Sequence, residues 1–269
     1  MSETSIGRNV ASEFVGTAIL MLGGPGLLIL GGDDIGKLGI AIGFGAAIAI
    51  SIGVIGAVAN PMFSLALWFS KGITAGEAAA DFVGQLLGGV FGAAVIYGLN
   101  DSTRFTAGTN GWEPTDQIDA GVDLGVHLTG FSELGVVIGA ELVLSTIVVV
   151  VLLSSISQQR SNSAMAAFTG AAYALGTLFL LGISGSGMNP ARSLATALFA
   201  DTDPNALGQV WVFIAVPIVA AFAGMLVWLA IDDATIDDTI FDDTILEDVS
   251  DAITGDYDAA DHTRSGREA

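Results

Sequence analysis

The stretch GMNPARSLATALFA, residues 187–200, decides the fold. It is apolar enough to enter a membrane but too short to cross one, since the part from Asn189 to Ala200 rises about 18 Å against about 30 Å of hydrocarbon. It also carries Arg192, which would cost about 2.5–3.5 kcal/mol at bilayer depth and so must face water, a partner or a pathway rather than lipid. Asparagine is among the best helix N-caps, and proline suits the first helical position, where its missing N–H would be unbonded anyway. The segment therefore reads as a half-helix that starts at Asn189, with Pro190 and Ala191 in its first turn.

A second piece of the same kind, NPMFSLALWFS, runs from Asn60 to Ser70, with Pro61 and Met62 after the capping residue. Around these two lie six longer apolar runs, near 9–30, 37–56, 75–99, 133–155, 164–183 and 208–231, each close to the roughly 20 residues that a spanning helix needs. The expected fold class is an all-α membrane protein with six transmembrane helices and two re-entrant half-helices.

The two halves repeat. ASEFVGT at 11–17 resembles GAELVLST at 139–146; Glu13 precedes Asn60 by 47 positions and Glu141 precedes Asn189 by 48. Each half holds three crossings and a half-helix. Three is odd, so the second half enters from the opposite face and the repeats, about 7–100 and 131–231, are inverted about an axis in the membrane plane. Irregular backbone at membrane depth is tolerated only where it is buried in protein or lines a watery cavity, which places both Asn-Pro turns together near the midplane. Their N-termini then face each other with a partial charge of about +0.5 each, repelling cations and protons. A narrow apolar lining that cannot replace an anion's hydration shell excludes anions too. What passes is small and neutral, and the carboxamides of Asn60 and Asn189 can donate hydrogen bonds to its oxygen.

Composition agrees. Of the 269 residues 52% are hydrophobic and 13% charged, with a mean hydropathy of +0.70, whereas a soluble domain carries about 25% charged residues. No small-residue cleavage site follows a short apolar core at the start, so the first span is expected to be retained. Without cysteine, disulfides and thiolate metal sites are excluded. His127 and His262 have no partners at metal-ligand spacing, no catalytic constellation or phosphate-cradling loop occurs, and neither a metal nor a cofactor is implied. The net charge of −20 is a poor match for nucleic acid. Thirteen of the 28 acidic residues lie after Ile231, so 232–269 reads as a solvated, disordered acidic tail. So much acidity with so few lysines is expected of a protein from a high-salt, halophilic setting. Arg8, Lys71, Arg160, Arg264 and Arg267 would lie inside against Lys37 and Arg104 outside, which puts both termini and the tail in the cytoplasm.

The paired Asn-Pro turns, the two glutamates, GMNPARS and the six-plus-two layout make this chain resemble the aquaporin (major intrinsic protein) family over about residues 7–231. The resemblance implies a channel domain over 1–231, a homotetramer in the cell membrane and no enzymatic activity. It implies that Glu13 and Glu141 are structural, holding the re-entrant loops, and that a selectivity filter is formed by Phe44, Thr177, Ser186 and Arg192. Ile40 is the competing register for Phe44, because the stretch from Phe44 to Asn60 is shorter than is common in the family. Arg192 would add a fixed positive charge and hydrogen-bond donors beside the water file. Two departures pull apart. Strict water channels usually carry histidine where this chain has Thr177, which widens the filter; glycerol-conducting members usually carry aspartate after the arginine, where this chain has Ser193. Water is the expected substrate, with glycerol or other small neutral solutes as the alternative. An ion-coupled transporter is the competitor from another class, since inverted repeats and broken helices occur there as well.

Overall fold

The computed structural model describes residues 3–99, 108–112, 133–202 and 205–232. The tail beyond Asp232, most of the loop from Asn100 to Thr129, and with them Arg104, His127, His262, Arg264 and Arg267, lie outside the described residues.

Among the described residues all regular structure is helical. The chain runs α1 (Glu3–Met21), a π-helical turn (Leu22–Gly26), α2 (Leu27–Ile50), a second π-helical turn (Ser51–Ile55), α3 (Pro61–Phe69) and α4 (Ala75–Leu99). It continues with α5 (Glu133–Ser157), α6 (Asn162–Leu180), α7 (Pro190–Phe199), α8 (Ala206–Gln209) and α9 (Val212–Ile231). α2 is broken at Gly32 and Gly36, whose φ values of 46° and 68° are left-handed and open to glycine without a Cβ clash. The chain turns back there, so the first crossing ends at Gly32 and the second begins at Asp34. The first π turn contains Pro25, which has no N–H to offer the helical ladder.

Among the described residues six stretches are long and apolar enough to cross a membrane: Ile6–Gly32, Asp34–Ile55, Ala75–Leu99, Glu133–Ser157, Asn162–Leu180 and Ala206–Ile231. They match the six runs read from hydropathy, with ends displaced where polar first turns such as that of α1 fall outside an apolar window. α3 and α7, of nine and ten residues, are the two half-helices that follow the Asn-Pro pairs, and α8 is a single turn of four.

The packing follows the repeat. α1 lies against α4 in the first half, α5 against α9 in the second, and α2 against α6 joins the halves. At that junction Gly45 and Gly170 face each other so closely that a Cβ on either would meet the other's carbonyl oxygen, at 2.3 and 2.5 Å. The burial pattern differs from that of a soluble protein in its apolar surface and its buried charges. Leu87, Phe91, Val143, Leu175, Phe179 and Phe222 are exposed, whereas Glu13, Asn60, Glu141, Asn189 and Arg192 are buried. An apolar outer surface, with the charged and carboxamide side chains held inside among apolar ones, is what a lipid solvent requires.

Candidate functional site

The site is built from the two Asn-Pro turns. Asn60 is extended (φ −157°, ψ 118°), and its side-chain oxygen accepts from the Met62 N–H at 3.0 Å. Asn189 is extended likewise (φ −130°, ψ 106°) and its oxygen accepts from the Arg192 N–H at 3.1 Å. In both, the proline takes the first helical position. Each carboxamide nitrogen then reaches across: Asn60 Nδ2 donates to the Met188 carbonyl at 3.1 Å, and Asn189 Nδ2 to the Ala59 carbonyl at 2.7 Å. These reciprocal bonds tie the N-termini of α3 and α7 together, with both asparagines fully buried. One N–H of each NH2 group is thereby committed to protein. Pro61, Met62, Pro190 and Ala191 are buried in the first turns.

The loops entering these turns are held by the two glutamates. Glu13 accepts from the Val58 N–H (2.7 Å), the Ala59 N–H (2.8 Å) and Gln85 Nε2 (2.8 Å). Glu141 accepts from the Gly187 N–H (2.6 Å) and from the Ser184 hydroxyl (2.5 Å), all on one oxygen. Backbone N–H groups that would otherwise be unpaired at membrane depth thus have charged or polar acceptors. Ala59 sits at φ 53°, a left-handed conformation that turns its carbonyl to Asn189 while its N–H faces Glu13.

Arg192 lies in the first turn of α7 with no solvent exposure. Its Nη2 donates to the Gly185 carbonyl at 2.9 Å and its Nη1 to the side-chain oxygen of Asn110. Asn110 is pinned in turn, donating from Nδ2 to the Ser184 carbonyl at 3.0 Å and accepting from the Ser193 hydroxyl at 2.8 Å. The guanidinium carbon stands 5.7 Å from the centre of the Phe44 ring, within cation–π range. Ser186, at φ 64°, donates through its hydroxyl to that of Thr177 at 3.1 Å. The four filter candidates therefore fall into two contacting pairs, Arg192 with Phe44 and Thr177 with Ser186. On α2 the Phe44 ring lies against Arg192, and Ile40, the competing register, is buried four residues earlier.

Three features were not read from the sequence. Asn110 lies in a loop with no periodic signal, and only the fold brings it to Arg192. Asp81 is a buried carboxylate on α4 that accepts from Asn9 Nδ2 (2.6 Å) and the Ser64 hydroxyl (2.9 Å); Ser64 also accepts from Gln85, whose NH2 group reaches Glu13. A polar chain therefore links α1, α3 and α4 on the side of the first half-helix. The signal available for it was an Asp and a Gln spaced i, i+4 inside an apolar run, since such groups must find partners in a membrane. The third, Tyr173, stands one turn from Thr177. The run Gly84, Gly88 and Gly92 packs within the bundle: an added Cβ would meet the Val10 carbonyl at 2.5 Å, the Phe14 carbonyl at 2.2 Å and Met21 Cβ at 2.4 Å.

A family model described as "Major intrinsic protein" matches residues 1–228. Among curated proteins, Aquaporin Z of Photorhabdus laumondii is 29% identical over 225 residues, covering 81% of this chain and 94% of that protein. Aquaporin Z of Brucella melitensis is 30% identical over 235 residues, 82% of this chain and 96% of the other. Glycerol uptake facilitator protein-like 6 of Lactiplantibacillus plantarum is 26% identical over 219 residues, with coverages of 80% and 93%. Among solved structures, the aquaglyceroporin from Plasmodium falciparum superposes with a TM-score of 0.61 at 19% identity, covering 90% of this chain and 99% of its own. That last likeness is one of fold.

Proposed function

The chain belongs to the major intrinsic protein family, whose members are membrane channels and not enzymes, and on that footing we propose that this multi-pass membrane protein is a passive water channel, driven by osmotic gradients and closed to protons and ions. The observation that carries this reading is the pair of half-helices bonded tip to tip through Asn60 and Asn189. Two helix N-termini converge there, each with about half a positive charge, so a proton or metal cation meets repulsion where its hydration is thinnest. A neutral oxygen instead finds two carboxamide N–H donors. One turn away, Arg192, Phe44, Thr177 and Ser186 form the selectivity filter, in which the arginine contributes a fixed charge and donors. The working form is a homotetramer in the cell membrane with both termini, and the acidic tail, in the cytoplasm.

Glycerol or another small neutral solute is the second reading. The favouring observation is that two of the four filter positions are small hydroxyl residues, Thr177 and Ser186, and one relative carries a glycerol uptake name. A coupled transporter is disfavoured because its buried glutamates would have to face substrate, whereas Glu13 and Glu141 are occupied with loop backbone.

The test is shrinkage of protein-loaded phosphatidylcholine vesicles followed by light scattering. In a sucrose gradient the protein is expected to speed shrinkage well above that of empty vesicles, without any ion gradient and without dissipating an imposed pH gradient. A glycerol gradient then produces slow re-swelling if water is the substrate and fast re-swelling if the second reading holds. No acceleration of shrinkage, or acceleration only with an ion gradient, would overturn the channel reading.

A further inference from the structure

Tyr173 occupies a place that the four filter positions do not explain. It lies on α6 four residues before Thr177, so the two side chains share one face, about 6 Å apart along the axis. Its ring stacks on that of Phe44, with centroids 6.3 Å apart and planes 24° apart, and meets the Phe63 ring edge-on at 6.2 Å. Phe44 is the ring against Arg192. Phe63 is three residues past Asn60 in the first turn of α3. Tyr173 thus bridges the filter and the tip of the first half-helix, the interval a molecule crosses between them. Phe44 cannot easily retreat from this contact, because Gly24 lies so close that a Cβ there would fall 2.5 Å from the ring.

The hydroxyl is the second observation. Tyr173 has no solvent exposure, and its hydroxyl has no hydrogen-bond partner among the described residues. Buried tyrosines ordinarily satisfy their O–H, and leaving one unpaired costs about 1–3 kcal/mol. One turn further along the same face, the buried Thr169 hydroxyl is likewise without a protein partner. Thr169, Tyr173 and Thr177 therefore form a row of hydroxyls about 12 Å long, two of them free to bond something that is not protein. Such a row offers donors and acceptors to a file of water molecules.

We infer that Tyr173 is a fifth selectivity residue, its ring supplying one turn inward the bulk that Thr177 lacks and its hydroxyl bonding the molecules that pass. This rests on the channel reading above. An aromatic ring one turn from the small Thr177 would restore the bulk that discriminates water from glycerol.

The experiment compares water and glycerol permeability in phosphatidylcholine vesicles for the full-length wild type, Tyr173→Val and Tyr173→Phe, normalised to the amount of assembled protein. Tyr173→Val is expected to raise the glycerol-to-water ratio on the order of tenfold, the size of discrimination that a few methylenes of pocket volume provide. Tyr173→Phe is expected to keep the wild-type ratio while lowering water permeability about threefold, as befits one lost hydrogen bond. Tyr173→Leu, closer in volume, replaces the valine variant if that one does not assemble. An unchanged ratio in the aliphatic variants, or a phenylalanine variant as leaky to glycerol as they are, overturns the inference and leaves the channel reading intact. Wild-type vesicles that shrink no faster than empty ones sink the channel reading itself.

Discussion

Glu141 illustrates what a charged group needs at membrane depth. One carboxylate oxygen takes both the Gly187 N–H and the Ser184 hydroxyl, while the other has no partner among the described residues. Its mate Glu13 has three donors spread over both oxygens. Replacing Glu141 with alanine leaves the Gly187 N–H buried and unpaired, at about 1–3 kcal/mol, and leaves the Ser184 hydroxyl only its longer bond to the Leu180 carbonyl at 3.3 Å. Glu141→Ala is therefore expected to lower the yield of membrane-inserted protein and its melting temperature in detergent, with the water-to-glycerol ratio of the channels that do assemble almost unchanged. A variant of normal yield and melting temperature would show that the loop holds its shape without the carboxylate. The matched intervals from each glutamate to its Asn-Pro made the duplication legible, whereas the pairing of both glutamates with the loops was what the family resemblance implied. The acceptor for Arg192 was not, because Asn110 sits in an irregular loop whose route no local pattern encodes.

At the level of elements, the chain is ruled by helix ends and by close helix approach. Asn60 and Asn189 begin α3 and α7 by satisfying N–H groups that no preceding turn can reach, and proline in each first position gives up no bond. These starts depend on a few adjacent residues, so they were readable to within a residue. Close approach needs small residues: Gly88 of α4 lies against the Phe14 backbone of α1 with no room for a methyl group, a Cβ there falling 2.2 Å from the Phe14 carbonyl. Gly88→Ala must push the two helices apart and is expected to destabilise the bundle by about 1–3 kcal/mol, seen as a lower melting temperature. Gly98→Ala on the same helix, where nothing lies within 4 Å, serves as the control and should be neutral or slightly stabilising. Equal effects at both positions would mean that helix propensity, not the α1–α4 contact, governs the glycine requirement. The glycine spacing alone did not say which helix it faced, and only the packed bundle assigns it to α1.

For the molecule as a whole, charge is the dominant unusual property. A net charge of −20 on 269 residues, with 13 of 28 acidic groups after Ile231, favours solubility of the polar parts at the expense of self-repulsion. The Debye length falls from about 10 Å at 0.1 M to about 3 Å at 1 M salt, so that repulsion is largely screened in concentrated salt. The protein is expected to melt at a clearly higher temperature in molar KCl than in about 0.1 M KCl. Equal melting temperatures at the two concentrations would count against adaptation to a saline setting.

What the sequence determined by itself is the architecture: the number of crossings, the places where two half-helices begin, and the inverted duplication. Each depends on the length of an apolar run or on a cap of two or three neighbouring residues, and lipid enforces these local rules because an unpaired backbone group has no water to turn to. The tertiary structure alone decided which polar groups share a site. Asn60 meets the carbonyl of a residue 128 positions away and Asn189 one 130 positions away, Arg192 finds Asn110 from 82 positions off, and Tyr173 is caught between Phe44 and Phe63. A side chain can choose such partners only after the halves have closed on each other, so no window of neighbouring residues holds the information.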